Sequence, residues 1–171
     1  MHATDDTAPP RYSRLPLPPY RHRPGRTPHP VRDPRGHSHG VRRPADDPLR
    51  HGRWEESELY RHGIDLFNHR YWWECHEALE HLWRLEGGRG PRAAVLQAVI
   101  QLASGLLLRA MARPRGPQRL GRRALAHLAD RDGVALGLDL AELRRVITRS
   151  LLADGDPAPK LWLERPLNRE A

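Results

Sequence analysis

Between Tyr71 and Trp83 the chain reads Tyr-Trp-Trp-Glu-Cys-His-Glu-Ala-Leu-Glu-His-Leu-Trp. At about 100° per residue, Trp72, His76, Leu79 and Trp83 share one helical face, with Cys75 and Glu80 at its margins. A core-facing stripe is normally apolar throughout. Burying an imidazole and a carboxylate one turn apart costs free energy unless each finds a partner. His76 and Glu80 are therefore the candidate site. Such a pair can place a nitrogen and an oxygen on one divalent metal ion or small polar ligand. It can equally form a structural hydrogen-bond network that only holds helices in register. Trp72 and Trp83 read as packing around the motif, and Cys75 as a buried, inert thiol.

Spacing excludes several familiar sites. A zincin needs His-Glu-x-x-His, but here Glu80 stands where the second histidine belongs and His81 comes one position late. His81 is about 140° round the helix from His76, so the two rings cannot grip one ion. No histidine follows a glutamate by three residues, as a ferritin-like di-iron bundle requires. Ser57, Ser104 and Ser150 lack a nucleophile-elbow context. Two ligands are too few for a structural zinc site, which takes four. Gln101, His62, His69 or Asp65 on adjacent helices are the further donors to consider. With a third ligand, a metal-dependent hydrolase using Glu80 as general base also comes into view. Glu74, Glu77 and His81 fall on the opposite face and read as solvated.

The elements that must position this pair are helical. A first helix is expected over about Trp54–Asn68, with Gly63 marking a close helix approach and Asn68 the left-handed turn residue. The motif helix ends before Gly87-Gly88. A third helix, Pro91 to about Ala112, is apolar almost all round and should be central. Its Gln97 and Gln101 share a face and are the candidates to answer His76 and Glu80. A fourth helix starts at Pro117. A fifth, Leu140–Leu152, follows a capping box of Asp139 and Glu142. No segment alternates with period two. The expectation is an all-α, compact bundle of about five helices.

Of the 29 basic residues, all but Lys160 are arginine, and ten lie in residues 1–50 against five aspartates. The excess charge thus belongs mainly to the N-terminal segment, which also holds 11 of the 17 prolines. Residues 1–51 are expected to be a disordered tail, 52–153 the bundle, and 154–171 an extended C-terminal tail packing on it through Leu161, Trp162 and Leu163. His37-Ser38-His39 could catch a metal loosely. Arg119, Arg122 and Arg123 read as a solvated face, so nucleic acid is disfavoured as a partner. A protein partner or small ligand, and a homo-oligomer, stay open. One cysteine and no signal-peptide core point to a cytoplasmic protein without a membrane span, since Gln97, Gln101, Ser104 and Arg109 interrupt the apolar third helix.

The stretch Gly63–Asn68 followed by His76, Glu80 and Trp83 resembles the bacterial and archaeal domain-of-unknown-function family 309, marked by His-x-x-x-Glu-x-x-Trp. Its second block, a glutamine-bearing apolar helix, is matched by Leu96–Ala103. The resemblance covers roughly residues 55–130. It implies a small helical bundle and a metal-binding role for the motif.

Overall fold

The computed structural model describes residues 11–113, 115–153, 155 and 158–164. The first ten residues of the expected N-terminal tail lie outside that set. So do Pro114, Asp154, Asp156-Pro157 and the last seven residues. Among the described residues five α-helices form the bundle: α1 (Glu58–Asn68), α2 (Trp72–Leu85), α3 (Gly90–Ala110), α4 (Gly116–His127) and α5 (Leu140–Ile147). The all-α expectation holds, with one small addition. Val134–Ala135 (β1) and Leu138–Asp139 (β2) pair antiparallel around Leu136 and Gly137, both left-handed at φ 53° and 73°. That hairpin is too short to show a period.

α3 is the core helix, packed against α2 on one side and α4 on the other, while α1 lies on α2. Val95, Leu96, Val99, Leu102 and Leu106 are all buried. α3 is long and apolar enough to cross a membrane, yet 56% of its most apolar window is buried inside the bundle. Close approach is built in where glycine removes a side chain. A Cβ on Gly63 would stand 2.7 Å from Leu79 of α2, the tight helix contact its mid-helix position suggested.

Several boundaries differ from expectation for local reasons. α1 starts at Glu58 because Ser57 caps it, its hydroxyl accepting from the Tyr60 N–H at 3.0 Å. The left-handed residue in the α1–α2 turn is Arg70, at φ 64°, and not Asn68. Asn68 is spoken for: its side chain bonds both the N–H and the carbonyl of Leu161, pinning the C-terminal strap. Leu161 and Leu163 of that strap are buried, but Trp162 is exposed. α5 follows the Asp139 cap as expected and then loosens into a π-helical turn, Thr148–Leu152.

Residues 11–51 contain little regular structure, as their composition dictates, but they are not a free tail. They wrap the bundle, held by polar anchors. Asp65, fully buried on α1, accepts from Tyr12 N–H (2.8 Å), Ser13 N–H (2.9 Å), Ser13 Oγ (2.8 Å) and Arg11 Nε (3.1 Å). Farther on, the His22 N–H donates to Glu74 at 2.6 Å, and Leu49 inserts fully into the core. A charged acceptor meeting several N–H groups binds more strongly than neutral pairs do. The anchors supply what the segment's few aliphatics do not.

Candidate functional site

α2 turns a different face to the core than the motif suggested. Cys75, Ala78, Leu79 and Leu82 are the buried stripe. Trp72, His76, Glu80 and Trp83 run along its edge, half-buried. The His76 and Glu80 side chains keep 30% and 26% of their surface exposed, so the pair is open to water and not enclosed. Trp83 packs edgewise against the α2–α3 loop, where a Cβ on Gly88 would touch its ring at 3.0 Å.

His76 sits between two carboxylates. Its Nε2 is 3.8 Å from Glu80 Oε2, and its Nδ1 is 3.4 Å from Glu77 Oε1. One ligand atom from each of His76, Glu77 and Glu80 lies within 4.8 Å of the others. Glu77 is thus the residue that spacing reasoning missed. Its backbone position is 100° from His76, but a glutamate has reach enough to bring its oxygen back to the imidazole. The imidazole beside it holds the Glu77 carboxyl below the ordinary glutamate range, with Arg43 and Arg84 adding positive charge. Glu80 is not free either, since Arg84, one turn on, bonds it at 2.8 Å.

The other expected donors go elsewhere. Gln101 Nε2 donates to Gln97 Oε1 at 3.3 Å, and among the described residues neither glutamine bonds His76 or Glu80. Gln101 Oε1 is buried without a partner. Asp65 holds the wrap, His62 meets Ser13 at 3.2 Å, and His69 donates through Nδ1 to the Asp65 carbonyl at 2.8 Å. Among the described residues these five bond elsewhere in the fold and not to His76 or Glu80.

The face expected to be solvated is covered by the wrap. Glu74 is buried, and its Oε1 also meets His37 Nε2 at 3.2 Å while Oε2 has no partner. His81 donates through Nε2 to the Pro44 carbonyl at 2.8 Å. The histidine-rich sequence thus finds its place against α2, where His22 and His29 flank the Trp73 ring. Burial pushes the Cys75 thiol well up, with the Glu74 charge adding to it, so this sulfur is no nucleophile.

A family model described as "Domain of unknown function (DUF309)" matches residues 60–120, from the first turn of α1 into the start of α4. No curated protein matches the chain. The stretch that carries His76, Glu80, Trp83 and the two glutamines is thus similar to the DUF309 domain, over residues 60–120 of the 171.

Proposed function

We propose that this helical protein binds a divalent metal ion, or a small polar ligand through one, at His76, Glu77 and Glu80. The observation that carries the reading is three ligand atoms mutually within 4.8 Å on a partly exposed helix edge. One imidazole nitrogen and two carboxylate oxygens suit zinc, manganese or ferrous iron better than calcium, which prefers an all-oxygen shell. Three protein donors leave coordination positions for water or ligand, the arrangement of catalytic rather than structural sites. A metal there would act as a Lewis acid on what it binds. Glu80 turns Oε2 toward His76 while Oε1 holds Arg84, so the arginine draws on the same carboxylate charge and competes with the ion.

That competition also favours a second reading, in which Glu80–Arg84 and His76–Glu77 form only a surface hydrogen-bond network on a helical interaction module. Arg84→Gln separates the two. It should tighten metal binding several-fold if Glu80 is a ligand, as followed by competition with a chromogenic chelator. If the residues are only a network, neither the wild type nor the variant should withdraw metal from the chelator.

A further inference from the structure

A cavity of about 300 Å³ opens where the wrap crosses the start of α2 and the end of α3. Its charged groups are Arg21 and Arg23 from the wrap, Arg70 from the α1–α2 turn and Arg109 from the last turn of α3. Its floor is apolar, formed by Trp72, Leu106 and Leu107. Among the described residues no carboxylate lines it. Among the described residues Arg21, Arg23 and Arg70 make no ion pair, whereas arginines such as Arg11, Arg84 and Arg92 each meet a carboxylate. Like charges gathered over an apolar floor repel one another, and an entering anion relieves that repulsion while the low-dielectric wall strengthens the attraction.

The backbone that carries Arg23 and Arg70, and the side chains of Arg21 and Arg109, are held before any ligand arrives. Arg21 lies over the Tyr71 ring at 5.2 Å, and Tyr71 is itself fixed by its hydroxyl donating to the Pro18 carbonyl at 3.0 Å. Between Arg21 and Arg23, buried His22 is locked by its N–H to Glu74. Arg70 occupies a left-handed turn closed by its N–H to the Phe67 carbonyl at 3.0 Å and by Tyr71 N–H to Leu66 at 2.8 Å. Arg109 bonds the Ser150 carbonyl. Preorganisation of this kind lowers the ordering cost of binding.

We propose that the pocket binds a phosphate monoester with an apolar body. Guanidinium forks match phosphate oxygens bidentately. Several cations suit a dianion better than a carboxylate, and the floor suits a hydrocarbon or aromatic group. The wrap supplies two of the four arginines, which gives that irregular segment a function. This reading does not rest on the metal site.

Titration calorimetry of the full chain with phenyl phosphate, inorganic phosphate and benzoate, at physiological salt, tests it. Phenyl phosphate should bind tightest, with the other two about tenfold weaker. Arg21→Gln/Arg70→Gln, and separately Arg23→Gln, should each weaken phenyl phosphate by about tenfold or more. These side chains are exposed and their loss should leave the melting temperature in place. Arg119→Gln/Arg122→Gln on α4 should change nothing. No heat from phenyl phosphate, or equal losses in the α4 variant, would overturn the site. Equal binding of inorganic phosphate would overturn the apolar half of the proposal.

Discussion

At the residue scale, His76, Glu77 and Glu80 are a cluster whose chemistry depends on side-chain reach as much as on helical position. The four-residue spacing of His76 and Glu80 was readable in the sequence because it follows the helix period. Glu77 was not, because a position 100° away says nothing about where a flexible carboxylate ends. Cys75 offers a contrast. Burial in the α2 stripe was legible from its neighbours, and it makes the thiol unreactive. Native protein should therefore leave a chromogenic disulfide reagent uncoloured, with one thiol appearing only in denaturant. Prompt reaction without denaturant would contradict that burial.

At the scale of elements, the fold rests on two kinds of contact. Helix against helix is the kind that sequence shows. Gly63→Ala should destabilise by about 1–3 kcal/mol through overpacking of Leu79, a cost that outweighs the roughly 1 kcal/mol of helix propensity gained. Urea unfolding checks this, and a more stable variant would mean that the α1–α2 contact has slack. Wrap against helix is the kind that sequence hides. Backbone N–H groups of Tyr12, Ser13 and His22 find Asp65 and Glu74 without any period in the chain. Composition reads residues 11–51 correctly as irregular, but it cannot tell that buried carboxylates elsewhere are waiting for them. Asp65→Ala should cost about 3 kcal/mol by leaving these donors unanswered. It should also open residues 11–20 to protease before the helices are cut. Simultaneous cleavage of both would mean that the wrap has no separate anchor there.

For the whole molecule, the buried histidines couple stability to pH. Burial lowers the pKa of His22, helped by nearby His29, and burial likewise lowers that of His62. The unfolded chain therefore binds more protons than the folded one below the ordinary histidine value of 6.5. Their contribution is whole above that value and declines as pH falls beneath it. Glu77, held below its ordinary value, keeps its contribution above about pH 4.5 and loses it as pH falls through its folded pKa. Both effects weaken the protein in acid, the histidines first. The urea midpoint should drop between pH 7 and 5.5, and less so in His22→Gln. An unchanged drop in that variant would move the cause elsewhere.

The central claim is that the half-exposed edge of α2 holds a metal. Elemental analysis of the full chain tests it most directly, beside His76→Ala and Glu80→Gln. The full chain is required because removing residues 1–50 would strip the wrap from Asp65, Glu74 and His81. Near-stoichiometric metal in the wild type, lost in both variants while the fold persists, is the expected result. No metal in any of the three, or metal that stays when His76 and Glu80 are changed, would contradict the account.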